Sequence, residues 1–381
     1  MNKIILLSGR IDSSNVDKEE KKINKELDEY IGDVTIDADK LEYISSAGLR
    51  VILKIKKKWP NTKIINCNND VYEIFEMTGF TQMIDITKKY KTISVEGCSV
   101  VAEGAYGIIY RIDPETIVKV YKNSNSLDDI IRENEKAKKA FILGIPTAIS
   151  YNIVKVGDSY GSVFEMIDAK TFAELLRDGE DIKKLAKESV NILKQIHNTE
   201  NLDNSLPNKK KEAINWAKFC KDYLPNEVGE KLVSLFEEIP DCNTIIHGDF
   251  HIKNIMHLKN EILLIDMETL AIGHPILELA CSYTVYEGFE CVDINNPEEF
   301  LGIPRSQCRE FIDLTLKYYF DDYNDKNFED ILNKIKIICY TRLLRRQIKH
   351  YGINDKNAIH SIEFCKKYLI DNISKCDNLY F

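Results

Sequence analysis

Between Ile245 and Asp266 the chain carries two short apolar runs bracketed by oxygen-bearing side chains. They read Ile245-Ile246-His247-Gly248-Asp249-Phe250-His251-Ile252-Lys253-Asn254-Ile255-Met256 and, twelve residues beyond Asn254, end in Ile262-Leu263-Leu264-Ile265-Asp266. Ile255–Leu258 and Glu261–Ile265 each suit one strand, and Lys259-Asn260 between them suits a tight turn, so a hairpin is predicted. The hairpin fixes where the polar residues fall. Asn254 and Asp266 lie at neighbouring strand ends, and Asp249 lies on the entering loop. A carboxylate, an amide and a second carboxylate thus converge at one strand edge. Phosphoryl transfer needs such a set: oxygen ligands for Mg²⁺ and a carboxylate to orient an attacking hydroxyl.

The rest of the chain limits the alternatives. Its 381 residues exceed one typical core and imply two or three domains. With 44% apolar and 30% charged residues it can build packed cores. No apolar run reaches the ~18 residues of a membrane span, and Met1–Arg10 is too short an apolar start for a signal peptide, so no membrane role and a cytoplasmic location are expected. Ten cysteines without a Cys-x-x-Cys pair read as reduced thiols. A net charge of −9 argues against general nucleic-acid binding. Residues 1–95 carry 16 basic and 15 acidic side chains, so the whole negative excess lies further on. An acidic surface favours a cationic substrate, with Glu287 and Glu290 as candidate contacts. His247, His251 and His257 have no standard zinc-site spacing.

The first 90 residues alternate between strand and helix patterns. Ile4–Leu7, Val34–Ala38, Lys63–Cys67 and Ile84–Ile86 read as strands, Asp17–Tyr30 and Val71–Met77 as helices. Ser45 or Ser46 suits the N-cap of a helix whose apolar face starts at Leu49 and whose end, Lys54–Lys58, is basic. Gly9-Arg10-Ile11-Asp12, Val34–Ala38 and Ser45-Ser46-Ala47-Gly48-Leu49 together resemble a STAS domain, the α/β fold of anti-sigma factor antagonists. The resemblance covers residues 1–90 and implies a protein partner. It places the motif serine, phosphorylated in antagonists, at Ser46, with Ser45 where the motif has aspartate. Phosphate there would meet free N–H groups and a positive helix end. The plainer reading is that Ser46 is a helix cap alone.

Lys88–Lys91 reads as a basic connector, and from Thr92 a strand-rich segment leads into a long helical one. Ile108–Ile112 and Thr116–Tyr121 form a hairpin about Asp113-Pro114-Glu115, Leu127–Leu143 a helix ended by Gly144, and Ile149–Val156 with Gly161–Met166 a further strand pair. Asp128 and Asp129 suit solvated helix-start charges. His-Gly-Asp-x-x-x-x-Asn followed by Ile-Asp, with Gly273-His274-Pro275-Ile276-Leu277-Glu278-Leu279-Ala280, resembles the aminoglycoside phosphotransferase and choline kinase family. That resemblance implies an α+β, two-lobed protein-kinase-like domain over 97–381, with a small lobe at about 97–167 and a helical lobe at about 171–381. It implies Asp249 as catalytic base, Asn254 and Asp266 as magnesium ligands, His247 as a loop support and Glu278 as the acceptor that fixes the loop. Lys119 would reach the nucleotide phosphates. Glu133 would pair with it, Glu135 being the fallback. Ala102-Glu103-Gly104-Ala105-Tyr106-Gly107 resembles a glycine-rich loop, with Gly104 and Gly107 approaching phosphate. Phe164-Glu165-Met166-Ile167 resembles a hinge holding adenine through backbone groups of Glu165 and Ile167.

The expectation is an ATP- and Mg²⁺-dependent phosphotransferase acting on a small-molecule hydroxyl, fused to a STAS domain. Aminoglycoside, choline-like amino alcohol, sugar and protein hydroxyl all remain open as acceptors. Two alternatives stand beside it: a protein kinase, and a nucleotide-binding regulatory protein acting through STAS-mediated partner binding.

Overall fold

Alternation along the first strand decides how the N-terminal segment packs. In β1 (Asn2–Ile11) Ile5, Leu7 and Ile11 are buried while Ile4 and Leu6 face outward. The computed structural model describes residues 2–381 except 105–106, 123–125, 204, 260 and 322–324, with only the backbone of 325 and 326. The chain forms two compact units, residues 1–96 with 153–161, and residues 97–152 with 162–381.

In the first unit β1 is followed by α1 (Val16–Glu26), β2 (Asp33–Ile44), α2 (Ser46–Lys58), β3 (Lys63–Cys67), α3 (Asn69–Met77) and β4 (Asp85–Lys88). The four strands are parallel in the order β1-β2-β3-β4. The register brings Ile5, Ile36, Ile64 and Ile86 into one row across the sheet. Helical crossovers of this kind are what parallel neighbours require. β2 runs well past the predicted Ala38, because its pairing with β1 continues through two register shifts to Ile11↔Ile44. α1 stops at Glu26, short of Tyr30. The predicted connector is half strand: Lys88 closes β4, and Lys91 opens β5 (Lys91–Ile93), which pairs with residues 154–156 of the same unit.

The second unit opens with an antiparallel run, β6 (Ser99–Glu103), β7 (Gly107–Arg111) and β8 (Thr116–Tyr121), then α4 (Leu127–Ile142). The chain then runs through the hairpin β9 (Ser150–Val156) and β10 (Ser159–Glu165), of which residues 153–161 belong to the first unit. Next come β11 (Lys170–Thr171), α5 (Phe172–Arg177), α6 (Ile182–His197), α7 (Lys209–Lys221) and α8 (Asn226–Glu237). A short β12 (Ile245–Ile246) precedes the predicted hairpin, β13 (Ile255–Leu258) and β14 (Glu261–Leu264), and then β15 (Ala271–Ile272). Helices α9 (Pro275–Tyr286), α10 (Asn296–Leu301), α11 (Arg305–Tyr319), α12 (Asp325–Tyr351) and α13 (Ile359–Asn372) complete it. One apolar core threads these helices and the hairpin, with Trp216, Phe236, Tyr286 and Phe311 among its large buried rings. All ten cysteines are free thiols. Among the described residues no helix is long and apolar enough to cross a membrane.

Candidate functional site

Lys119 sits on β8, opposite Ile109 of β7, so its place along the sheet is set by the ladder. Ser126 and Asp129 close a capping box at the start of α4, which turns Glu133 inward one helical turn later. Lys119 Nζ donates to Glu133 Oε1 at 2.6 Å, and both side chains are largely buried. Glu135 faces solvent. Burial opposes the charge on Lys119, yet Glu133, Asp266 and Glu268 outweigh it and hold the ammonium above the usual lysine range. Nearby, Gly104 N–H donates to the Gly107 carbonyl at 2.9 Å. A Cβ on Gly107 would come within 2.5 Å of the Val120 carbonyl oxygen, so only glycine lets β7 and β8 close here. Ala105 and Tyr106 of the same loop lie outside the described residues.

The loop between β12 and β13 is held from three sides. Glu278, fully buried on α9, accepts from the backbone N–H groups of His247 and Gly248. Burial pushes its carboxyl above the usual range, and His247 with those N–H donors pulls the other way. His247 bridges to the hairpin: Nε2 lies 3.0 Å from the Ile265 carbonyl, and Nδ1 accepts from the Asp249 N–H at 3.3 Å. Asn254 Nδ2 donates to the Asp249 carbonyl at 2.9 Å and to its Oδ2 at 3.3 Å, while the Ile265 N–H donates to the Asn254 carbonyl at 3.0 Å. The loop base and the strand end before Asp266 are therefore one hydrogen-bonded block. For Asp249 burial raises the carboxyl pKa, but the hydrogen bond from His251, the two imidazoles and Arg342 outweigh it and bring it down to about 2.

Asp266 follows β14 with a left-handed φ of 64°, a conformation rare outside glycine. Oxygens of Glu133, Asp266 and Glu268 lie within 4.8 Å of one another. These carboxylates outnumber the neighbouring ammonium groups of Lys119 and Lys136, and a divalent cation fits such a charge surplus. At the hinge, the Glu165 N–H is committed to the Ile149 carbonyl and the Met166 N–H to Glu115. Glu290 is not open to a cationic acceptor: Arg305 and Arg309 both clamp its carboxylate. Glu287 accepts from Tyr283 Oη at 2.9 Å.

Comparison with known proteins bears on this geometry. The profile of the phosphotransferase enzyme family, APH, matches residues 99–297, more than half of the chain. The chain belongs to the phosphotransferase enzyme family. The STAS domain profile matches residues 2–94. BtrV of Bordetella bronchiseptica, which carries the name anti-sigma factor antagonist, is 32% identical over 87 residues, 22% of this chain and 75% of BtrV. Among solved structures, the streptomycin–ATP complex of APH(2")-IIa aligns at a TM-score of 0.47 with 18% identity, over 81% of this chain and 98% of that one. ADP-bound APH(2'')-Ib aligns at 0.46 with 19% identity, over 81% and 99%.

Within this phosphotransferase three site residues escaped the motif reading. His251 Nε2 lies 3.3 Å from Asp249 Oδ2, and its Nδ1 is buried without a partner. Its signal was its place two residues after Asp249. Glu268 stands two residues after Asp266. Arg342 sits on α12, far along the chain, where no motif pointed.

Proposed function

We propose that the protein is an ATP- and Mg²⁺-dependent kinase that transfers the γ-phosphate to a hydroxyl of a small molecule. The observation that carries this reading is the Lys119–Glu133 pair set beside Asp266, with Asp249 and Asn254 joined in the adjoining loop. Lys119 holds the α- and β-phosphates. Gly104 and Gly107 bring backbone close to them, and the hinge at Glu165 and Ile167 meets adenine, Glu165 through its carbonyl because its N–H is used. Asp266 and the Asn254 Oδ1 would hold Mg²⁺, which would supply charge neutralisation at the phosphates.

Asp249 is ionised across the neutral range and receives the hydrogen bond of the acceptor hydroxyl. The acceptor oxygen forms a bond to phosphorus as the bond to the ADP oxygen breaks. The hydroxyl proton passes to Asp249. A carboxyl held near pKa 2 is a weak base, so its main contribution is orientation, in keeping with a loose transition state. His247 and Glu278 hold the loop that carries it.

We also assign separate roles to residues 1–90 and 97–381, the first binding a protein partner. Ser46 is exposed at the first position of α2 and is the residue we propose a partner kinase reaches, while Ser45 takes the cap position. Asp249→Ala in the full chain tests the main reading. Acceptor-dependent ADP formation falls by about 10²–10⁴-fold while MgATP binding persists. Equal rates in wild type and variant would sink the assignment.

A further inference from the structure

Helix α12 carries Arg342, Arg345, Arg346 and Lys349, spaced so that they share one face. Three of them lie on aromatic rings. The Arg342 guanidinium is 5.8 Å from the Trp216 ring centre, that of Arg346 4.9 Å from Phe289, and the Lys349 ammonium 5.4 Å from Phe219. Trp216 and Phe219 belong to α7, and Phe289 follows α9, so the row is bordered on both sides by the helical lobe. Among the described residues none of the four has a carboxylate oxygen within 4.0 Å. Other cations nearby do: Arg305 and Arg309 share Glu290, and Lys334 of the same helix pairs with Asp330. Arg342 is half-buried, and its field reaches Asp249. The carboxylates whose fields reach Arg342 are Asp249 and Glu212, and neither closes an ion pair with it within 4.0 Å, so the row keeps a surplus of positive charge beside the proposed base.

We propose that the phosphate acceptor is anionic, a carboxylate or a phosphate on the same small molecule that carries the hydroxyl, with that anion seated on Arg342 and the Arg345–Arg346 pair behind it. The inference rests on the phosphotransferase reading and narrows it. It replaces the cationic acceptor suggested by net charge, whose candidate contact Glu290 is already neutralised. Arg342 presents a planar fork that binds carboxylate or phosphate through two parallel N–H bonds. From its position it orients the acceptor so that the hydroxyl, and not the anion, meets Asp249.

The test uses the full chain with MgATP and reads ADP release with three sets of acceptors. Glycerate and 3-hydroxybutyrate supply a carboxylate, glycerol 3-phosphate and ribose 5-phosphate a phosphate, and glycerol, choline and kanamycin neither. The expected result is a kcat/KM at least about tenfold higher for one anionic set than for the third set. Arg342→Ala then raises the KM for the preferred acceptor about tenfold or more, leaves the KM for ATP in place, and Arg342→Lys recovers part of the loss. Arg346→Ala, at an exposed position, moves the acceptor KM in the same direction and serves if Arg342→Ala does not fold. Preference for choline, kanamycin or glycerol with no response to Arg342→Ala overturns the proposal. So does MgATP hydrolysis that no anionic acceptor stimulates. A wild-type chain that neither binds nor hydrolyses MgATP overturns the phosphotransferase reading itself.

Discussion

Glu278 ties two backbone N–H groups of the loop between β12 and β13 to α9, and nothing else among the described residues accepts from them. Its carboxylate is fully buried, so its removal leaves those donors dry and unpaired. Glu278→Ala is therefore expected to lower unfolding free energy by about 1–3 kcal/mol, read from urea unfolding, and to depress kcat through the loosened loop. Glu278→Asp, one methylene shorter, should recover part of both. Full stability in the alanine variant would show that the loop has another anchor. The residue was legible because Leu-Ala follows it in a run that resembles a family signature. His251 was not, since a histidine two residues after an aspartate has no meaning until the loop folds it back on that carboxylate.

The loop and hairpin form the element that carries the candidate site, and Gly248 is its tightest point. Its φ is +82°, and a Cβ there would lie 2.7 Å from the Thr269 carbonyl oxygen. Gly248→Ala thus meets both backbone strain and a clash with main chain, and should cost more than about 1 kcal/mol. Differential scanning fluorimetry reads the loss of Tm, and the ATPase assay the loss of rate. An unchanged Tm would mean the loop relaxes freely. The hairpin itself was legible because a two-residue gap between apolar runs permits few other connections, and that gap placed Asn254 and Asp266 side by side. Two elements were harder to read. The length of β2 depends on its parallel partner, which local alternation does not contain. In α12, Ile335, Ile337, Ile338, Cys339, Leu343 and Leu344 are all buried, so apolar residues surround the helix and no single polar face stands out. The arginine row was therefore hidden until α7 and α9 were seen to flank it.

Among the described residues two separate cores form, one drawn from residues 5–86 and the other from residues 137–379. Each can melt as its own cooperative unit, so two calorimetric transitions are expected, the larger enthalpy belonging to the larger unit at about 0.7 kcal/mol per residue. Acid separates them further. His197, on α6, is buried with Nδ1 2.7 Å from Tyr319 Oη and Nε2 unpartnered. Burial, helped by His274, lowers its pKa from 6.5 to about 3, and burial also lowers that of His274. Both rings are neutral in the folded state and would take up protons on unfolding. The His197 contribution is complete above pH 6.5 and is lost as pH falls from 6.5 toward about 3, by up to about 1.4 kcal/mol per pH unit, and His274 adds to it in the same direction. The larger transition should therefore move to lower temperature in mild acid more steeply than the smaller one, and His197→Gln should reduce that slope by about one proton's worth. A larger transition whose pH slope is the same in wild type and variant would show that His197 is already free to protonate in the folded lobe.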